Sequence, residues 1–221
     1  MRRELKTLVL ALTLTAFAVA VVPAVAPAKT QPTCKRPGSK TVAENRVARV
    51  FTRPARRGNR LDLLGCWKSS GRAFSLTYPL DSCEGPISFD LVRLRGRFAA
   101  FYSEARSRAQ CFTPERPIQR SVHIINLRNA DSAGIFAPAR PAGGRLLLDA
   151  RGAVVWPDWL PNNQIQVLME DHEREGFSIA TPYIVDSGPI HPESLRLTLG
   201  GRLDWINGAT PRSMQLDRSK P

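Results

Sequence analysis

The chain lacks the short motifs that usually announce chemistry. It has no Gly-x-Ser-x-Gly, no His-Glu-x-x-His and no phosphate-binding glycine loop. The corresponding nucleophilic, zinc-hydrolase and nucleotide-binding readings therefore have nothing to stand on. No cysteine sits in a Cys-x-x-Cys pair, which removes zinc-ribbon and thioredoxin-like readings. After the first thirty residues no long stretch carries apolar residues at helical spacing. Lysine is scarce, at six of 32 basic residues, and histidine occurs three times.

What is present is proline, glycine and arginine. Eighteen prolines and fifteen glycines in 221 residues suit a loop-rich, all-β chain of one domain, or two small ones. The hydrophobic fraction of 43% is enough for a buried core. The formal charge is +13, and Arg2, Arg3 and Lys6 against Glu4 contribute +2, leaving +11 for residues 29–221. A charge of that size attracts polyanions, although the same arginine bias is what a GC-rich coding sequence produces.

Residues 1–28 have the form of a signal peptide. Basic Arg2, Arg3 and Lys6 precede an apolar run from Leu8 to Val22, and Ala26-Pro27-Ala28 follows Pro23. The run is short for a spanning helix, which needs about 20 apolar residues. Cleavage is expected after Ala28, giving an exported chain that begins at Lys29. Gln31-Pro32-Thr33 before Cys34 does not resemble a lipobox, so a lipid anchor is not expected. The four cysteines, Cys34, Cys66, Cys83 and Cys111, then read as two structural disulfides, with three pairings open.

Residues 29–43 read as an extended lead-in, and residues 44–218 as a repeat domain. A strand is expected from Val42 to Thr52, then strands at Leu61–Trp67 and Ala73–Tyr78. The repeat itself is carried by Leu94-Arg95-Gly96-Arg97-Phe98, Ala150-Arg151-Gly152-Ala153-Val154 and Leu199-Gly200-Gly201-Arg202-Leu203. Apolar residues lie two and four positions either side of Gly96, Gly152 and Gly201, the period-two signature of a hairpin. A three-residue loop with a left-handed glycine at its end puts Val92 opposite Phe98, Leu148 opposite Val154, and Leu197 opposite Leu203. The full units carry about four strands each.

Gly96, Gly152 and Gly201 are 56 and 49 residues apart, and four-stranded units at that spacing resemble the blades of β-propellers, loosely those of TolB-like and WD-repeat proteins and of small exported repeat proteins of high-GC bacteria. The Gly-His and Trp-Asp signatures of WD repeats are absent, and Asp204-Trp205 has the reverse order. The resemblance therefore implies architecture alone: three to four antiparallel blades of a small or incomplete propeller, with a β-sandwich as the alternative. An incomplete ring could close by forming a homodimer. In a propeller, the loop entering a blade and the loop joining its second and third strands share one face. The resemblance thus implies Cys83–Cys111, leaving Cys34 for Cys66.

Candidate contact residues are few. Arg53, Arg56, Arg57 and Arg60 crowd one turn and are the expected contact for an anionic polymer. Arg93, Arg95 and Arg97 alternate through a hairpin. Trp156 and Trp205 hold matched apolar positions and are expected in the core, Trp67 is expected against the disulfide of Cys66, and Trp159, in an apparent loop, is the expected ligand contact. His123 is expected to be outward or satisfied on a strand, and the acidic run Glu170 to Glu175 around His172 to be a solvated tip. No catalytic residue, metal site or cofactor is expected. The reading is a non-catalytic, exported binding or scaffolding module, contacting an anionic envelope polymer or another envelope protein and no specific nucleic acid. The alternative is an envelope hydrolase with its site in propeller loops.

Overall fold

Among the described residues, strands account for all the regular structure apart from two single 3-10 turns. The computed structural model describes residues 34–55, 60–76, 84–107, 118–137, 139–171 and 182–216. The expected signal peptide lies outside them, as do Arg56, Arg57, Cys83, Cys111 and His172. Four antiparallel sheets follow one another along the chain, each a simple up-and-down meander. The first contains β1 (Lys40–Glu44), β2 (Ala48–Pro54), β3 (Leu61–Trp67) and β4 (Arg72–Ser75). The second contains β5 (Glu84–Arg95), β6 (Phe98–Ser107), β7 (Ile118–Asn126) and β8 (Asp131–Phe136). The third contains β9 (Leu147–Leu148), β10 (Ala153–Trp159), β11 (Ile165–Asp171) and β12 (Tyr183–Gly188). The fourth has three strands, β13 (Arg196–Leu197), β14 (Arg202–Asn207) and β15 (Thr210–Gln215).

The sheets are blade-like and stack face to face in chain order. Between the first and second lie Ala48, Val50, Leu63 and Leu76 against Ala99, Phe101, Ile125 and Leu127. Between the second and third lie Phe98, Ala100, Tyr102 and Ile124 against Leu148, Val154, Trp156 and Leu168. Between the third and fourth lie Val155, Ile165 and Val167 against Ile190, Leu203 and Trp205. Strands β6 and β10 are therefore buried on both faces. That is why Phe98-Ala99-Ala100-Phe101-Tyr102 and Ala153-Val154-Val155-Trp156 read as unbroken apolar runs.

Successive sheets meet through their first strands, β1 with β5, β5 with β9 and β9 with β13, which form the inner edge of the stack. A side chain ties each neighbour to the next there. Asn45 Nδ2 donates to Gly96 O (2.9 Å), Arg93 Nε to Leu146 O (3.0 Å), and an Arg145 guanidinium nitrogen to Glu193 O (3.2 Å).

The two ends of the stack are finished differently. On the outer face of the first sheet, Cys34, Phe51, Leu64 and Cys66 make a small cluster of their own. The Cys34–Cys66 disulfide, with Cα atoms 5.8 Å apart, pins the lead-in across it. Arg49 completes the cover: its guanidinium lies 4.7 Å over the Phe51 ring and donates to Cys34 O, Thr41 Oγ1 and Ser39 Oγ. The outer face of the fourth sheet is exposed and mixed, with Arg202, Asp204, Ile206 and Gln215 opposite in sense to the inward Leu203 and Trp205. Among the described residues no apolar cluster joins the fourth sheet to the first.

Several sequence expectations change in detail. Gly96, Gly152 and Gly201 all have positive φ, at 54°, 98° and 80°. The three-residue loops and the pairs Leu148–Val154 and Leu197–Leu203 are present. The second sheet differs: its loop has two residues, Arg95 pairs with Phe98, and Val92 does not face Phe98. Glycine at the first position of a two-residue loop shortens the turn by one residue, and a bulge at Leu91, φ 52°, takes up the shift. The single strand expected at Val42–Thr52 is a hairpin. Its turn has no glycine; Asn45 Oδ1 accepts from the backbone N–H of Val47 and Ala48 instead. The turn expected at Gly208–Arg212 is mostly β15.

Gly65 shows how closely the first two sheets approach. A Cβ there would lie 2.5 Å from Leu127 Cδ2 and 2.8 Å from Leu76 Cδ2, both in the core. Gly65→Val should cost about 1–3 kcal/mol through overpacking. Gly200→Ala, which meets nothing within 4 Å, should change stability by less than about 0.5 kcal/mol. Urea unfolding of the two variants compares them, and equal midpoints would contradict the packing described.

Candidate functional site

The residues singled out from sequence occupy different parts of the stack. Arg53 and Arg60 flank the connection from β2 to β3. Arg53 Nε lies 3.8 Å from Asp62 Oδ2, its cross-strand neighbour, and Arg60 is exposed. Trp159 is not in a loop: it is the last residue of β10, paired with Ile165, and is 48% exposed. Its neighbour Asp158 points to the opposite face and is fully buried. Trp156 and Trp205 are core residues. Trp205 Nε1 donates to Asp186 Oδ2 (2.7 Å), whereas Trp156 Nε1 has no partner. Trp67 packs toward the second sheet, not on the disulfide, because adjacent strand residues face opposite sides.

A serine and a histidine do come together. Ser103 Oγ and His123 Nε2 are 2.8 Å apart across β6 and β7, and the His123 ring stacks on Phe101 at 4.7 Å. Burial pushes the imidazole down to about 4, so it is neutral at pH 7 and suited to accept the Ser103 hydroxyl hydrogen. A Ser-His hydrolase needs a base poised near neutrality and a third group to orient it. His123 is too weak a base, and burial is the one cause of its shift, with no carboxylate contributing. The pair satisfies a buried hydroxyl and a largely buried imidazole between the first and second sheets.

A second polar layer lies between the second and third sheets. Tyr102 Oη donates to Glu104 Oε2 (3.3 Å), which also accepts from Arg120 Nε (3.4 Å). Burial, with the Glu104 charge next, pushes the Tyr102 hydroxyl up to about 12 and keeps it a donor. Arg140 reaches Asp90 Oδ2 at 2.6 Å. Asp158, raised chiefly by burial, accepts from its neighbour's backbone N–H and weakly from Gln166. These contacts orient and neutralise one another and expose no nucleophile. Among the described residues no group of three or more His, Cys, Asp and Glu side chains is arranged to hold a metal ion.

The arginines are the distinctive feature. Arg36, Arg49, Arg93 and Arg145 all donate to backbone carbonyl oxygens: of Gly71, Cys34, Leu146 and Glu193. A carbonyl fixes a guanidinium without cancelling its charge. These positions carry no local sequence signal, because their acceptors lie 15 to 53 residues away.

The low His123 value sets a pH dependence. In the unfolded chain the imidazole takes a proton below about 6.5, while in the folded chain it resists until about 4. Stability should therefore fall as pH drops through that window, by at most about 3 kcal/mol. His123→Gln should flatten the slope between pH 6.5 and 5 in denaturant titrations. Identical slopes for the two proteins would contradict the burial of the neutral ring.

The chain matches no protein-family model, no curated protein and no solved structure.

Proposed function

We propose that this chain is an exported, non-catalytic binding module, an open arc of the β-propeller kind that contacts anionic polymer of the cell envelope or extracellular space. The observation that carries the reading is the carbonyl-held arginine set, which gives a rigid scaffold a fixed positive field. The charge of +11 over residues 29–221 adds long-range attraction. The Cys34–Cys66 disulfide suits an oxidising compartment, in keeping with the signal-peptide form of residues 1–28. Another envelope protein is the alternative partner, and a second copy could extend the arc.

The competing reading, an envelope hydrolase, draws on one observation, the Ser103–His123 pair. Its weak base and missing third group argue against it.

The wild-type protein should be retained on an anionic column and on purified wall polymer at low salt and released as salt rises. Exposed charges act over about 8 Å at physiological ionic strength and less beyond it. Absence of retention at low salt, or hydrolysis of the polymer abolished by Ser103→Ala, would sink the binding-module reading.

A further inference from the structure

Trp159 stands apart from the tryptophans of the core. Trp156 and Trp205 are enclosed between sheets, whereas Trp159 is 48% exposed. It shares a face with Ile165, its cross-strand partner, and Ile165 is buried against the fourth sheet. The difference is one of strand length. Strand β10 runs to Trp159, seven residues past Gly152, and β14 only to Asn207, six past Gly201. The fourth sheet therefore covers Ile165 and stops short of the indole.

The surroundings are polar and uncharged. Residues 159–169 hold no acidic or basic side chain, in a chain where 23% of residues are charged. Trp159 leads into a tip at 160–164, closed by a hydrogen bond from Leu160 N to Gln164 O (2.8 Å). Three exposed amides sit there, on Asn162, Asn163 and Gln164. Asn162 Nδ2 donates to Gln164 Oε1 (2.9 Å), and Asn162 Oδ1 accepts from the Gln164 backbone N–H (3.1 Å), so these two side chains are held in place. Among the described residues no hydrogen bond occupies Gln164 Nε2 or the Asn163 amide. Two acids need placing. Asp158 is fully buried on the opposite face. Asp186, across from Val167 on the Trp159 face, accepts from Trp205 Nε1 (2.7 Å) and Asn207 Nδ2 (3.0 Å).

We infer that Trp159 and the 160–164 tip form a saccharide subsite, with the indole as platform for one pyranose ring of an uncharged, β-linked glycan chain. A pyranose with equatorial substituents turns its axial C–H bonds to the ring faces. Those faces are apolar and lie flat on an aromatic surface, whose π face is negative. The hydroxyls around the rim both donate and accept, as side-chain amides do. Tyr183, also half-exposed, pairs with Met169, four residues along β11 from Ile165. It stands about 13 Å further along the sheet and does not extend the platform. One aromatic ring gives weak binding to one sugar, which a polymer offering many rings strengthens. The inference goes beyond the polyanion reading: it stands on different residues and needs no positive charge.

The probes are cellohexaose and chitohexaose, neutral β-linked hexasaccharides of glucose and N-acetylglucosamine. They are titrated at about 1 M NaCl, where the screening length falls to about 3 Å and charge-driven contacts are suppressed. In proton–nitrogen NMR spectra at least one of the two should shift the Trp159 indole N–H and leave those of Trp156 and Trp205 in place. Trp159→Ala should bind at least about tenfold more weakly, and Trp159→Tyr, which keeps an aromatic face, within about threefold of wild type. Asn163→Ala combined with Gln164→Ala should lose about threefold or more. Melting curves show whether each variant is folded. If Trp159→Ala is not, the wild-type indole shift and the amide variant carry the test.

Unchanged affinity in Trp159→Ala, an indole shift confined to Trp156 or Trp205, or no response to both saccharides would overturn the assignment. So would a thymidine hexanucleotide that shifts the Trp159 indole when the saccharides do not, which would make the ring a nucleobase platform. Retention on the anionic column at low salt without saccharide binding would remove this subsite alone and leave the binding-module reading standing.

Discussion

Burial of both faces of β6 and β10 is the constraint from which the rest of the structure follows. A sheet with two apolar faces is insoluble alone, so the second and third sheets must each be covered twice. The first sheet covers one, the fourth covers the other, and the two middle sheets cover each other. Because each sheet packs against its neighbours in sequence, stability is spread over three similar interfaces. The ends are where such a stack fails or aggregates. Here one end is sealed by Cys34–Cys66 and the buried Arg49, and the other carries an exposed, mostly polar outer face on β14 and β15.

That arrangement also shapes the chemistry available. Polar groups that fall between sheets, Ser103 with His123 and Tyr102 with Glu104 and Arg120, are paired with one another and so give rigidity. The same enclosure weakens His123 as a base. Positive charge, by contrast, is carried where the first strands of successive sheets meet. Two arginines there, Arg93 and Arg145, are held by the carbonyl oxygens of Leu146 and Glu193, which position a guanidinium without cancelling its charge. The scaffold is thus better suited to holding a polyanion than to breaking a bond.

Much of the architecture was legible in the order of residues. Gly96, Gly152 and Gly201 marked the hairpins because only glycine enters positive φ without strain, and the apolar alternation around Gly152 and Gly201 predicted the register. Trp156 and Trp205 were placed in the core for the same reason. The first hairpin carries no glycine signal in the sequence, because Asn45 caps it through its side chain. The second sheet was misregistered by its shorter loop and the bulge at Leu91, neither of which alters the local pattern of residue types. Trp159 looked like a loop residue because Pro157 and Pro161 flank it; Pro157 is nonetheless inside β10. The carbonyl-held arginines and the Ser103–His123 pair depend on long-range proximity, which period-two patterning does not encode.

The middle sheets are covered on both faces by neighbouring sheets, the first sheet is covered on its outer face by the small cluster of Cys34, Phe51, Leu64 and Cys66, and the outer face of the fourth is exposed. Native-state hydrogen exchange reads this directly, strand by strand. The backbone amides of β6 and β10 should be the slowest to exchange, β2 and β3 intermediate, and β14 and β15 the fastest among paired strands. Reduction of the disulfide should speed exchange in the first sheet and leave β10 unchanged. Equal protection of β14 with β6 and β10, together with insensitivity of β2 to reduction, would mean that the first and fourth sheets cover each other in a closed ring, contrary to this arrangement.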